Sequence, residues 1–342
     1  MSAVADPVLE ITTIADDFIV AHRGDEVIRL DGLAPSTAYD IDGVPATTLP
    51  RPPGELLCRI ATVNDVHFGE LECGRIDDNP QGPIQRSDPG DPPYPEVMNR
   101  AAAAEIAAIN PDAVIVKGDL TLDGAPEEFA AFESCYRSLF GERLHVVRGN
   151  HDAYRGQQAY AGDHWISLPG VHVALLDTVT AGVTTGFLED DQIEWLDAML
   201  AGADRPTIAM GHHQQWLPGA NGHRSDDYFG IHPDPSERLA EVAERRRSIV
   251  AYTAGHTHRH RVRLMPCGIP SIEVGCVKDF PGTWAEYRVF EGGILQVVHR
   301  ISAPNALRWS ERCRYLYSDF GIDYQSYAMG ELGHRCFEIG LR

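Results

Sequence analysis

Five short segments rich in histidine, aspartate and glycine restrict the possible folds of this chain most strongly, because each lies at the end of a run of apolar residues. They are Asn64-Asp65-Val66-His67, Lys117-Gly118-Asp119-Leu120, Gly149-Asn150-His151-Asp152, Gly211-His212-His213 and Gly255-His256-Thr257-His258. The apolar runs before them have the length and content of buried β-strands. Since ligands of open α/β sheets bind beyond the carboxyl ends of the strands, we expect all five segments to meet in one crevice.

Apolar runs alternate with helix-patterned segments from residue 55 onwards. The predicted strands are residues 58–63, 113–116, 144–147, 171–176, 207–210 and 249–253. The predicted helices are residues 95–109, 126–140, 189–200 and 236–247. This alternation is typical of an α/β domain with a largely parallel core, and two later runs at 287–290 and 294–298 predict a hairpin.

The sequence predicts three parts: a β-rich appendage at 1–50, a main domain at 55–300 and a C-terminal extension at 301–342. Residues 30–39 resemble the L-x-G-L-x-P-x-T-x-Y segment of fibronectin type III domains, in which the tyrosine forms a corner. Only about 40 residues are available, roughly half of such a sandwich, so an ordinary hairpin is the alternative. The extension is rich in aromatic residues, which favours packing on the main domain or at an oligomer interface.

The charge balance narrows the class of partner. The chain has 29 basic and 50 acidic residues, a net charge of −21, which argues against binding a nucleic acid polymer or an anionic membrane. Its first residues lack a signal-peptide pattern, and no apolar run approaches about 18 residues, so we expect a cytoplasmic protein. Seven scattered cysteines without a C-x2-C spacing predict free buried thiols.

The residue types in the five segments suit transition metals. Imidazole nitrogens and carboxylate oxygens, with no thiolate among them, bind manganese, iron, zinc, cobalt or nickel. Two residues separated by one, such as Asp65 and His67, point to the same side where the backbone is extended. A single carboxylate can bridge two ions about 3.5–4 Å apart, and Asp119 is the acid available for that role.

In this order, the patterns D-x-H, G-D, G-N-H-D, G-H-H and G-H-T-H resemble the signature of the calcineurin-like metallophosphoesterases over residues 64–258. The resemblance implies a four-layer αββα sandwich, in which two mixed sheets pack face to face with helices outside. It also implies two divalent or mixed-valence transition-metal ions, of manganese, iron or zinc. The implied ligands are Asp65, His67, Asp119 and His258 for the first ion, and Asp119, Asn150, His212 and His256 for the second.

The same resemblance suggests the residues that act on substrate. It implies that His151 donates a proton or hydrogen bond to the leaving-group oxygen and that Asp152 orients it, with a purely structural Asp152 as the alternative. His213, which follows a ligand, and Arg148, where many relatives have proline, are the candidate substrate contacts. Two long loops, at 70–94 and 214–235, are expected to shape the rim of the site.

The residues that follow Asp119 separate the branches of this family. Purple acid phosphatases have a tyrosine three residues after the bridging aspartate, where this chain has Leu122, and the arginine of the serine/threonine protein phosphatases is also missing. The pattern G-D-L-T-x-x-G resembles class III cyclic nucleotide phosphodiesterases and glycerophosphodiesterases. We therefore expect a phosphodiesterase that hydrolyses a small phosphodiester, favouring a 3′,5′-cyclic nucleotide, by attack of a metal-bound hydroxide.

Two alternative functions stay open at this stage. A broad-specificity phosphomonoesterase would use the same chemistry. A non-catalytic scaffold is disfavoured, because scaffolds of this fold lose metal ligands and this chain keeps all seven. The expected partner is a small phosphoester, and the aromatic extension leaves a homo-oligomer open.

Overall fold

Two mixed β-sheets form the centre of the computed structural model, which describes residues 8–75, 83–219, 224–225 and 228–342. Within these residues the strands are β1 (Glu10–Ile14), β2 (Phe18–Arg23), β3 (Glu26–Asp31), β4 (Ala38–Ile41), β5 (Val44–Thr47), β6 (Leu56–Val63), β7 (Ala113–Lys117), β8 (Leu144–Val147), β9 (His164–Leu168), β10 (Val171–Leu176), β11 (Thr207–Gly211), β12 (Ile249–Ala254), β13 (Arg261–Leu264), β14 (Pro270–Glu273), β15 (Thr283–Phe290), β16 (Gly293–Arg300) and β17 (Cys336–Ile339). The α-helices are α1 (Tyr94–Ile109), α2 (Pro126–Cys135), α3 (Arg137–Phe140), α4 (Asp190–Ala201), α5 (Pro233–Arg245), α6 (Pro304–Cys313), α7 (Tyr324–Met329) and α8 (Leu332–Arg335).

The parallel strands lie side by side in each sheet. One six-stranded sheet has the order β17-β16-β15-β6-β7-β8, and the other has the order β13-β14-β12-β11-β10-β9. Strands β6, β7 and β8 are parallel neighbours, as are β10, β11, β12 and β14. Val63 pairs with Val116, and Lys117 pairs with Val147, so three of the motif segments begin next to one another.

Three apolar clusters hold four layers together. Ile60 and Ile115 of one sheet meet Val173 and Ile208 of the other in the cluster between the sheets. A second cluster packs α1, α2 and α6 on the outer face of the first sheet, and a third packs α4 and α5 on the outer face of the other. The expected αββα sandwich is confirmed, because both faces of each sheet are covered by apolar side chains.

The N-terminal residues form small sheets beside the main sandwich. Strands β1, β2 and β3 make one antiparallel sheet, and β4 pairs with β5. The hydroxyl oxygen of Tyr39 accepts a hydrogen bond from the backbone N–H of Ala34, 2.9 Å away. Arg288 of β15 forms a buried ion pair with Asp16 at 2.6 Å, which joins these strands to the first sheet.

The C-terminal residues add to the first sheet and to its outer layer. Strand β17 pairs antiparallel with β16, and Trp309 of α6 stacks on Tyr94 of α1 with ring centroids 4.3 Å apart. No helix among the described residues is long and apolar enough to cross a bilayer. All seven cysteines are free thiols, and six of them are buried.

Candidate metal centre

All five motif segments lie together at the carboxyl ends of β6, β7, β8, β11 and β12. Backbone hydrogen bonds join the segments directly. The N–H of Asp65 donates to the carbonyl of Gly118 at 3.1 Å, and the N–H of Gly255 donates to the carbonyl of His212 at 2.9 Å. Each of these bonds joins neighbouring segments of one sheet, and the N–H of His256, which donates to Oδ1 of Asp65 at 3.0 Å, connects the ends of the two sheets.

The backbone at five candidate ligands is left-handed, which corrects the expected extended geometry. The φ angles are 56° at Asp65, 48° at His67, 51° at Asp119, 66° at His256 and 54° at His258. Non-glycine residues adopt this conformation at a cost, and they do so mainly where the surroundings enforce it. Paired side chains such as Asp65 and His67 converge because the chain turns sharply after the strand, and not because of strand alternation.

Two glycines allow the segments to approach closely. A Cβ atom on Gly149 would lie 2.2 Å from the backbone nitrogen of Asp119. A Cβ atom on Gly118 would lie 2.6 Å from Nδ1 of His212. Both motif glycines are needed because the neighbouring segment occupies the space of a side chain.

The carboxylate of Asp119 lies between two histidines that approach it from different sides. Its Oδ2 is 3.4 Å from Nε2 of His67, and its Oδ1 is 3.3 Å from Nε2 of His212. Asp65 completes the first group, since its Oδ1 is 3.7 Å from Nε2 of His258. Each oxygen of Asp119 thus faces a different set of candidate ligands, as a bridging carboxylate requires.

Hydrogen bonds to backbone carbonyls fix which nitrogen of two histidines faces the centre. Nδ1 of His212 lies 2.9 Å from the carbonyl oxygen of Lys117, and Nε2 of His256 lies 2.9 Å from that of Phe229. Because a carbonyl only accepts, those nitrogens donate, and the opposite nitrogens face inwards. The inward pair, Nε2 of His212 and Nδ1 of His256, is 3.3 Å apart, and Oδ1 of Asn150 is 3.0 Å from the former.

This arrangement fits a cation at each end of Asp119. Two facing imidazole lone pairs repel each other unless a proton or a metal lies between them. His67 is 3% exposed, yet neither of its nitrogens has a hydrogen-bond partner among the described residues. Burial and the charge of Lys278 lower the pKa of His67 to about 4. Burial lowers the pKa of His256 to about 3, so both rings are neutral near pH 7.

Burial and neighbouring charges also shift the pKa values of Asp65 and His212. Burial raises the pKa of Asp65 to about 6, and the neighbouring Asp119 adds to this effect. Burial alone would lower the pKa of His212, but the charges of Asp119 and Asp65 outweigh it and raise that pKa to about 9. The two carboxylates therefore stabilise positive charge close to them, which bound cations would supply.

His151 lies at the edge of this centre, and Asp152 does not contact its ring. Nδ1 of His151 lies 2.7 Å from the carbonyl oxygen of Leu122, so this carbonyl makes the orienting contact expected of Asp152. The buried carboxylate of Asp152 accepts hydrogen bonds from the backbone N–H groups of Gly149, Leu120 and Thr121 and from the Thr121 hydroxyl. Its contacts support the loop rather than the ring.

The two candidate substrate contacts are occupied by other partners. His213 is buried, with Nδ1 2.8 Å from the Thr178 hydroxyl and Nε2 3.1 Å from the Thr184 carbonyl. Arg148 forms a buried ion pair with Asp177 at 2.9 Å. Neither side chain lines the cavity over the centre, so the expectation that they contact substrate has no support in this geometry.

A cavity of about 750 Å³ opens over the centre, and several residues that sequence reasoning missed line it. Lys278 is buried there, with Nζ 2.5 Å from Oε2 of Glu70. Tyr317, Tyr324 and Tyr327 of the C-terminal extension line it as well. Parts of the rim loops, at 76–82, 220–223 and 226–227, lie outside the described residues.

Comparison with known proteins agrees with this arrangement. The sequence signature of the calcineurin-like phosphoesterases matches residues 58–260, which include every candidate ligand. The chain belongs to the calcineurin-like phosphoesterase family. Its fold is similar to that of a solved dimetal phosphatase from Danio rerio, with a TM-score of 0.54, at 15% identity over 72% of this chain and 98% of the other.

Within the calcineurin-like phosphoesterases, this chain is similar to two kinds of diesterase. It is 28% identical over 168 residues to a probable cyclic nucleotide phosphodiesterase of Synechococcus, covering 47% of this chain and 64% of the relative. It is 30% identical over 162 residues to the glycerophosphodiester phosphodiesterase GpdQ of Enterobacter lignolyticus, and the match covers 43% of this chain and 56% of that enzyme. The match thus spans less than two thirds of either relative.

Proposed function

We propose that this chain is a metal-dependent phosphodiesterase that hydrolyses a small phosphodiester, with a 3′,5′-cyclic nucleotide as the favoured substrate. The observation that supports this most strongly is the position of Asp119 between His67 and His212, at 3.4 and 3.3 Å. Because each oxygen of Asp119 faces a different histidine, the candidate ligands fall into two sets that share this carboxylate. The resemblance of the chain to diesterases of both kinds supports the substrate class.

Seven side chains would hold the two metal ions. They are Asp65, His67, Asp119 and His258 on one side, and Asp119, Asn150, His212 and His256 on the other. When bound, two divalent cations supply an activated water near neutral pH and neutralise charge on the phosphoryl oxygens. Manganese, iron and zinc all suit nitrogen and oxygen ligands, so availability decides among them.

The residues of the chain have their own parts in the reaction. The Leu122 carbonyl holds Nδ1–H of His151, so a ring protonated on both nitrogens can give its Nε2 proton to the departing oxygen and is left neutral with Nδ1–H in place. The carbonyls of Lys117 and Phe229 keep His212 and His256 in the tautomers that face the centre. Lys278 adds positive charge to the wall of the cavity, although Glu70 offsets it.

A substrate panel tests the proposal. The purified chain, loaded with Mn²⁺, is assayed with 3′,5′-cyclic AMP, a glycerophosphodiester, bis(p-nitrophenyl) phosphate and p-nitrophenyl phosphate. We expect kcat/KM to be higher for the diesters than for the monoester. A preference for the monoester would favour a phosphomonoesterase instead, and no metal-dependent hydrolysis of any ester would favour a scaffold.

A further inference from the structure

The C-terminal extension contributes an aromatic wall to the cavity over the metal centre. We propose that Tyr327 of this extension and Phe229 of the loop before α5 determine specificity by binding a planar ring in the organic part of the substrate. This inference rests on the proposed phosphodiesterase function and adds the residues that would recognise the organic part of the substrate. Both rings line the cavity, and both are partly exposed, by 38% and 43%.

Tyr327 is fixed to the loop that carries two candidate ligands. Its hydroxyl donates a hydrogen bond to the carbonyl of Thr257, 3.0 Å away, and Thr257 stands between His256 and His258. The guanidinium of Arg259 lies 5.1 Å from the centre of the Tyr327 ring. The ring is therefore held in place beside the centre and is not part of a loose tail.

The helix that carries Tyr327 is itself docked on the same loop. The N–H of His260 donates to the carbonyl of Ala328 at 3.0 Å. Gly330, which ends the helix, has a φ of 55°, and a Cβ atom there would lie 2.2 Å from the carbonyl oxygen of His260. Tyr324 anchors the other end, since its hydroxyl donates to Oδ1 of the buried Asp279 at 3.2 Å. A wall supported this way holds its geometry without substrate.

Phe229 contacts the same ligand loop at His256. Its carbonyl accepts the hydrogen bond from Nε2 of His256 at 2.9 Å, and its ring centroid is 5.4 Å from that of His256. One aromatic ring thus contacts His256 and the other contacts Thr257, its neighbour along the chain. The two rings therefore contact neighbouring residues of the segment that carries two candidate ligands.

The chemistry of this wall favours a flat ring over a polyol. A cavity of about 750 Å³ is far larger than a phosphate group needs, so the organic part of the ester lies within it. Aromatic side chains bind planar rings by stacking, which has little directional demand for hydrogen bonds. The hydroxyls of a glycerol group would need polar partners that the faces of Tyr327 and Phe229 do not provide. A nucleoside-type ester fits both the space and the surface.

The test compares two diesters in matched variants. Tyr327→Leu and Phe229→Leu remove one ring each, Tyr327→Phe keeps the ring and removes the hydroxyl, and Tyr315→Leu removes an exposed ring of the same extension that does not line the cavity. The measured quantity is the ratio of kcat/KM for 3′,5′-cyclic AMP to that for glycerophosphoglycerol. Calorimetry of adenosine 5′-monophosphate and of inorganic phosphate gives a readout that does not depend on turnover, and metal analysis shows that each variant keeps its ions.

We expect each leucine variant at Tyr327 or Phe229 to lower the ratio about tenfold, the scale of losing one stacking partner. The affinity for adenosine monophosphate relative to phosphate should fall by a similar factor, while Tyr315→Leu keeps both ratios and Tyr327→Phe, which keeps the ring but loses the hydrogen bond to Thr257, lowers them less than Tyr327→Leu does. Unchanged ratios in both leucine variants, with wild-type hydrolysis of both diesters, would overturn the inference and leave the proposed function standing. A wild-type chain that hydrolyses neither diester would overturn both.

Discussion

Nδ1 of His151 lies 2.7 Å from the carbonyl oxygen of Leu122. Since the carbonyl can only accept, Nδ1 carries a proton in this contact, and Nε2 is the nitrogen that the proposed proton transfer to substrate would use. Leu122 follows β7 and the Gly-Asp segment, whereas His151 follows β8. Two neighbouring parallel strands therefore position one catalytic candidate through a backbone atom.

Replacing His151 by alanine should slow hydrolysis most for substrates with poor leaving groups. Without a proton donor, kcat for diesters with poor leaving groups, such as alkyl esters, is expected to fall by about 10²–10⁴. A p-nitrophenyl ester leaves readily without a proton and should be affected far less. A series of aryl and alkyl esters measures this dependence, and His164→Ala, an exposed histidine outside the site, is the control. Equal losses across the series would contradict the role.

Asp152 should matter for stability more than for proton transfer. In Asp152→Asn, an amide N–H₂ would face one of the groups that now donate to the carboxylate, which costs about 1–3 kcal/mol. We expect a lower midpoint in urea denaturation and a leaving-group dependence like that of the wild type. The exposed Asp191→Asn is the matched control. A variant of normal stability that behaved like His151→Ala would restore the orienting role.

Gly149→Ala should disrupt the metal centre. The added methyl group would lie 2.2 Å from both the backbone nitrogen and Oδ1 of Asp119, so the carboxylate proposed to bridge the ions has to move. We expect metal content below two ions per chain and a loss of stability of about 1–3 kcal/mol, the usual cost of overpacking. Gly202→Ala is the control, because its nearest contact would be 3.8 Å away. Full metal content in Gly149→Ala would contradict the close packing.

The buried Glu286 should make stability depend on pH. Burial opposes its ionisation, but the hydrogen bond from His299 and the charges of Arg288 and Arg59 outweigh burial and lower its pKa to about 2. Because the pKa is lower in the folded chain, the stabilisation is complete above the unfolded value of 4.5 and is lost as the pH falls towards 2.

Denaturation of wild type and Glu286→Gln between pH 7 and pH 3 measures this effect. The difference in free energy of unfolding between the two chains should shrink by about 2 kcal/mol over that range. The exposed Glu244→Gln is the control variant, measured under the same conditions. A constant difference for Glu286→Gln would show that the carboxylate is not held ionised by its neighbours.

The sequence could predict the central strands and the place of the site because their signals are local. Runs such as 58–63 and 113–116 are buried on both faces, and each ends in a polar segment with glycine, which marks the carboxyl edge. The single helix predicted at 126–140 is instead two, α2 and α3, with Tyr136 between them. The hydroxyl of this buried tyrosine donates to Asn99 of α1, a contact distant in sequence.

The side-chain partners could not be predicted in the same way, because they depend on contacts between distant segments. His213 and Arg148 stand next to candidate ligands along the chain, yet Thr178 and Asp177 hold them away from the cavity. Tyr327 is one of several tyrosines in a tail without a motif, and only the docking of α7 brings it to the site. The amino-acid composition of a segment does not distinguish aromatic residues that pack from aromatic residues that bind a ligand.

Metal stoichiometry tests the two-ion centre most directly. The purified chain is loaded with Mn²⁺, Fe²⁺ or Zn²⁺, freed of excess metal and analysed by elemental mass spectrometry beside Asp119→Ala and the control His164→Ala. The proposed bridging role of Asp119 predicts two ions per chain in the wild type and the control, fewer than one in Asp119→Ala, and loss of hydrolysis on chelation that added metal reverses. A chelated wild-type chain that retains full activity with less than about 0.1 ion per chain would contradict the account.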